Sequence, residues 1–117
     1  MAESPVFTKT HDLLAWLLAT TRKFPREQRF VLAARLQNSA FELQAALTAA
    51  GQDHSRTAAH LLEADIALAL LRKHLLLCEE MKLITSDQYR HASNLTGEVG
   101  RLLGAWRKRA GATDVIR

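Results

Sequence analysis

Apolar residues recur every three to four positions in four stretches of this chain, which is the spacing of amphipathic helices. In the first, Phe7, Leu14, Leu17 and Leu18 share a stripe that Trp16 thickens, predicting a helix over about 8–22. Thr8 or Thr10 would cap it. Pro25 disfavours the α conformation at Phe24, so this helix stops near Lys23. The second helix is expected over about 25–50, with Pro25 in its first turn, where the missing N–H costs nothing. It shows two apolar tracks, Phe30/Ala34/Phe41/Leu47 and Leu36/Ala40/Leu43. Gly51 stands where a C-terminal cap belongs.

The third helix is expected over about 55–81, with Leu61, Leu62, Leu68, Leu75 and Leu76 as its inner face. The fourth, over about 86–109, carries a core stripe of Tyr89, Ala92, Leu95, Val99, Leu102, Leu103 and Trp106. Thr85 and Gln88 have the spacing of a capping box, and Asp87 suits the positive end of the helix. Residues 111–117 are expected to form a flexible C-terminal tail. Three short connections between long helices imply antiparallel neighbours. The expected fold is therefore all-α, an up-down-up-down four-helix bundle occupying residues 1–117 as one domain.

Two features complicate a lone bundle. Ala64, Ile66, Ala67, Ala69, Leu70, Leu71 and Leu77 carry apolar character around most of the third helix. Either that helix is central in a compact monomer or another subunit covers its second face. Ser93, Gly97, Gly100 and Gly104 make a stripe of minimal side chains along the fourth helix. Mid-helix glycine costs up to about 1 kcal/mol relative to alanine, so such a stripe normally admits a close backbone neighbour, from the same chain or another.

Composition narrows the function classes. With 48% hydrophobic residues, five glycines and two prolines, the chain reads as globular and helical, not disordered. The single cysteine, Cys78, cannot form an intramolecular disulfide, so nothing points to an oxidising compartment. The first residues lack the basic-then-apolar pattern of a signal peptide. The apolar run Ile66 to Leu71 is too short to span a bilayer before Arg72-Lys73-His74 interrupts it. A soluble, cytoplasmic protein without membrane attachment is expected. Among the five histidines the only suggestive metal-ligand pair is His74 with Cys78, four apart on one helix face, with no visible second pair. HExxH, GxSxG, Glu-x-x-His and Walker-type patterns are absent. The expectation is no enzyme activity, no metal and no cofactor.

The formal net charge is +4, and the cations cluster. Arg22, Lys23, Arg26, Arg29 and Arg35 surround the first turn, opposed there only by Glu27. Arg101, Arg107, Lys108 and Arg109 lie along and at the end of the last helix, so basic patches are expected at both ends of the bundle. Cations at a helix C-terminus complement its dipole, and Arg107, Lys108 and Arg109 need no ligand on that account. Arg26 and Arg29 open a helix at its positive end, where cations are unfavourable; phosphate neutralisation is a use that offsets this. Phe24 is the aromatic that the sequence places in the first cluster, so electrostatic binding is expected rather than base reading.

Two stretches carry a family resemblance: Glu63-Ala64-Asp65-Ile66-Ala67-Leu68-Ala69-Leu70-Leu71-Arg72, and Glu98-Val99-Gly100-Arg101-Leu102-Leu103-Gly104-Ala105-Trp106. With the Phe24-Pro25-Arg26 entry to the second helix, they resemble the accessory variability determinant (Avd) proteins of diversity-generating retroelements. These share a four-helix-bundle family with proteins encoded in intervening sequences of bacterial large-subunit rRNA genes. The resemblance implies a homopentameric barrel of bundles that binds a reverse transcriptase and RNA or DNA, supporting mutagenic reverse transcription without itself performing chemistry. It carries Arg72 and Arg101 over as nucleic-acid contacts, each alternatively a structural partner of Asp65 or Glu98. Two rival readings stand beside it: an rRNA intervening-sequence-type protein, and a structural oligomer without a nucleic-acid role.

Overall fold

The four periodic stretches fold as four helices in a computed structural model that describes residues 4–116, and side chains through Gly111. Helix α1 spans Pro5–Thr21. It starts earlier than the threonine caps suggested, because Ser4 takes the capping position and Pro5 the first turn. Thr10 is instead buried, its hydroxyl donating to the Val6 carbonyl at 2.7 Å.

Helix α2 has three parts: a turn at Arg26–Gln28, a π-helical segment at Arg29–Ala33 and an α-helix at Ala34–Gln52. Pro25 precedes it in extended geometry (φ −53°, ψ 147°) rather than entering its first turn. Gly51 is not the cap. The helix runs through it, and Asp53 closes the end by donating its N–H to the Ala49 carbonyl at 2.8 Å. The Phe7 ring lies 3.5 Å from where a Cβ on Gly51 would sit, so the glycine marks the approach of α1.

A short 3-10 turn at His54–Arg56 leads into α3, Thr57–Glu80. Its far end is a Schellman motif: Leu83 N–H donates to the Cys78 carbonyl and Lys82 N–H to that of Glu79, both at 2.9 Å. Lys82 takes the left-handed conformation there (φ 62°), where glycine is the usual residue. Helix α4 spans Ser86–Ile116, so its backbone stays helical well into the stretch expected as a tail; Arg117 lies outside the described residues. The capping box is present: Thr85 N–H donates to Gln88 Oε1 at 2.8 Å, and Gln88 N–H to Thr85 Oγ1 at 3.0 Å.

Helix α1 packs on α2 and α4, and α3 packs on the same two, as consecutive antiparallel helices do. Phe7 near the start of α1 meets Trp106 late in α4 edge-on, with ring centroids 6.0 Å apart, and Trp16 meets His91 further along. The core is built from Leu13 and Leu17 of α1, Leu36, Ala40, Leu43 and Leu47 of α2, Leu61, Leu68, Leu71 and Leu75 of α3, and Ala92, Val99 and Leu103 of α4. Each buried leucine contributes about 2 kcal/mol of apolar burial. The buried hydroxyls of Thr10, Thr21 and Thr96 all donate to carbonyls four residues back. Of the two α2 tracks, the one through Leu36 faces inward. Phe30 (84% exposed) and Phe41 lie outside. On α3, Leu62 and Leu76 also face outward, and Ala64, Ala67 and Leu71 take the inner positions.

Candidate nucleic-acid interface

The ten cations singled out from the sequence fall into three groups along the bundle. Arg22, Lys23, Arg26, Arg29 and Arg35 are all exposed at the α1–α2 end. Arg72 and Arg101 face a groove halfway along α3 and α4. Arg107, Lys108 and Arg109 are exposed near the opposite end, where the fourth helix passes the start of α3.

The α1–α2 end is organised by Phe24. The Phe24 ring is buried (2% exposed) and plugs the bundle between the helices, while Lys23 and Pro25 on either side stay in solvent. Its carbonyl accepts a hydrogen bond from Arg29 Nε at 3.2 Å. Arg29 thus braces the turn, a role its place in a basic cluster did not reveal. Arg22 and Arg29 together line a cleft of about 260 Å³, floored by Thr21, Ala33 and Gln37. Gln37 Nε2 donates to Thr21 Oγ1 at 2.9 Å, which ties the two helices beneath the cleft. Among the described residues, none of the five cations here makes an ion pair. The α3–α4 turn at the same end is mixed in charge, with Glu79, Glu80 and Asp87 beside Lys82 and Arg90. At this end the positive surface therefore lies on the α1–α2 side.

The groove on α3 and α4 is differently built. Asp65, Leu68, Ala69, Arg72, Gly97, Gly100 and Arg101 line it. A Cβ on Gly100 would lie 3.4 Å from both the Arg72 guanidinium and the Leu68 side chain, so this glycine gives Arg72 room to lie across α4. Gly97 and Gly104 face open space, with no atom within 4 Å of a Cβ at either position. Arg101 is paired with Glu98 one turn back; its hydrogen bond holds the Glu98 carboxyl below the ordinary carboxylate range. Asp65 pairs with Arg107, Nη1 to Oδ2 at 3.0 Å, and not with Arg72. Arg72 makes no ion pair among the described residues.

Other titratable groups are fixed locally. The Asp53 carboxyl is lowered first by the Ser55 hydroxyl and then by His60, whose Nε2 lies 3.1 Å from Asp53 Oδ2. Cys78 is fully buried one turn from His74, and burial pushes its thiol up to about 11. No group of three His, Cys, Asp or Glu side chains converges among the described residues. No helix there is long and apolar enough to cross a membrane.

Phe30, which the sequence places on one of the two apolar tracks of the second helix, stands exposed within the π segment, next to Arg29 and amid the five cations. The available signal was its phase: it falls off the Leu36/Ala40/Leu43 track that faces the core.

No curated protein matches the chain in sequence. Residues 6–110, which take in the three turns between the helices and both stretches around Arg72 and Arg101, match the bAvd-like family, and the chain belongs to it.

Proposed function

We propose that this chain is a non-catalytic accessory subunit of a diversity-generating retroelement, working in the cytoplasm as a homopentameric ring that holds RNA or cDNA beside a reverse transcriptase. The observation that carries the reading is family membership across residues 6–110. The surface supports it. The α1–α2 end offers five exposed cations free of ion pairs among the described residues, suited to neutralising phosphates. Of the two positions carried over from the resemblance, Arg72 is available to an anion, whereas Arg101 already holds Glu98.

Assembly has its own support. A closed ring needs two unlike, complementary surfaces on each protomer. Helix α3 shows Leu62, Ile66 and Leu70 outward at 41–52% exposure, beside an apolar groove floored by Ala45, Ala46 and Ala49 of α2. Helix α4 shows the open positions Gly97 and Gly104 elsewhere on the surface. Catalysis is assigned wholly to the polymerase.

The test combines light scattering with RNA binding and capture of the retroelement's reverse transcriptase. A particle near five times the 13.1 kDa chain, RNA affinity that falls steeply as salt rises, and retention of the polymerase are expected. A monomer indifferent to RNA and polymerase overturns the reading.

A further inference from the structure

We propose that Phe30 is a stacking platform for an unpaired base, making the α1–α2 end selective for single-stranded over duplex nucleic acid. This rests on the nucleic-acid reading above and assigns it a contact.

Phe30 is the most exposed large apolar side chain among the described residues, at 84%, and Val31 beside it is 56% exposed. The fold gains nothing from holding a phenyl ring in water. It stands in the π segment Arg29–Ala33, where Leu32 and Ala33 are buried and Phe30 and Val31 stay outside. Such π turns recur at functional sites.

The surroundings indicate what the ring meets. Arg29 precedes Phe30 directly, with its Nε fixed on the Phe24 carbonyl and its side chain lining the cleft shared with Arg22. Arg26 lies about one turn before Phe30, Arg35 further along the same helix, and Glu27 is the only carboxylate in the stretch from Arg22 to Arg35. A projecting aromatic ring bordered by guanidinium groups matches single-strand binding, in which bases stack on aromatic faces and the backbone phosphates run over cations. A duplex keeps its bases stacked within the helix and offers only its phosphates here. An acidic protein segment would also satisfy the charge, and the experiment separates it.

The test measures binding of short fluorescent single-stranded and duplex oligonucleotides of one sequence at fixed salt, using wild type, Phe30→Ala and Phe30→Trp. Phe30→Ala is expected to weaken single-strand binding about ten-fold or more. Duplex affinity, helical content and particle mass should stay as they are. Phe30→Trp should restore the affinity and show indole quenching on binding, over the background of Trp16 and Trp106. Wild type that binds the oligonucleotides with Phe30→Ala unaltered, or with single-strand and duplex affinities falling together, overturns the stacking platform while leaving phosphate binding intact. A change of particle mass in Phe30→Ala makes the ring a contact between copies. Loss of polymerase capture with unchanged oligonucleotide affinity makes it a protein-docking residue. Either result also overturns the proposal. Wild type that binds neither oligonucleotide removes the nucleic-acid reading itself.

Discussion

Arg107 of α4 reaches across to Asp65 of α3, Nη1 to Oδ2 at 3.0 Å, linking residues 42 positions apart. Both side chains remain close to half exposed, so water and salt screen the pair and it contributes on the order of 0.5 kcal/mol. Its larger effect is on charge: it partly neutralises one of the cations near this end of the bundle. Asp65→Asn is expected to change unfolding free energy by less than about 1 kcal/mol. It should also raise RNA affinity at low salt by about two-fold or more, by freeing Arg107 for phosphate. Thermal melts and anisotropy titrations check both. Unchanged affinity would place Arg107 outside the binding surface.

The reciprocal bonds between Thr85 and Gln88 start the longest helix of the bundle. Thr85→Ala leaves an N–H at the helix start without its side-chain acceptor and is expected to cost about 1 kcal/mol. A double-mutant cycle with Gln88→Ala should show that the two effects are not additive, because each side chain serves the other's backbone. Additive losses in chemical denaturation would mean that the two act separately.

How much of this was legible beforehand depends on what each residue's neighbours had to supply. The cap at Thr85 is local, written within four consecutive residues, and the structure has it as the sequence suggests. Leu61, Leu68 and Leu75 follow a heptad spacing and face the core. Leu62 and Leu76, each one residue further on, looked equally apolar but lie about 100° around the helix and end up outside. Composition alone does not distinguish them, since the apolar arc of α3 is wider than the core it serves. Phe30 differs from these: it falls off the phase of Leu36, Ala40 and Leu43, and what hid it was that both tracks of α2 are apolar. Phe24 and Arg29 depended on tertiary placement. A ring beside a proline and an arginine among arginines carry no mark of a buried plug and its brace.

The glycine stripe leads to a test of assembly. Within the chain nothing approaches Gly97 or Gly104, so the fold of one protomer does not account for their small size. On solvent-facing positions, larger residues would favour the helix by up to about 1 kcal/mol each. Gly104→Leu should therefore preserve or raise helicity while disrupting the oligomer, read by light scattering beside circular dichroism. An undiminished particle mass would show that the stripe faces water in the assembly as well.

The Cys78 thiol makes a prediction in pH. Burial raises it to about 11, so the folded chain keeps its proton where an exposed thiol has begun to lose it. Between the ordinary thiol value and about 11 the unfolded state holds fewer protons, and this group's contribution to stability falls as pH rises. Below that window it adds no pH dependence. A thiol-reactive reagent at mildly alkaline pH is expected to label the native protein far more slowly than the denatured protein. Equal rates would mean that the core around Cys78 opens readily.

Charge reversal at the α1–α2 end is the sharpest test of where phosphates bind, provided the bracing residue is spared. Arg29→Glu would remove the donor to the Phe24 carbonyl and put a carboxylate against it, so lost binding would be confounded with a damaged turn. Arg22, Lys23 and Arg26 have no such duty: all are exposed and none makes an ion pair among the described residues. The triple change Arg22→Glu, Lys23→Glu and Arg26→Glu is expected to leave melting behaviour and particle mass nearly unchanged. RNA affinity should fall strongly, and log affinity against log salt should become shallower by about two, since each lost phosphate contact removes roughly 0.7–0.9 from the slope. Arg107→Glu with Lys108→Glu is the counterpart at the other end, where the Asp65 pair already blunts the charge, and should have the smaller effect. If the order is reversed, RNA runs over the α3–α4 side of the bundle, with Arg72 and Gly100 at its centre, and the α1–α2 end serves another partner.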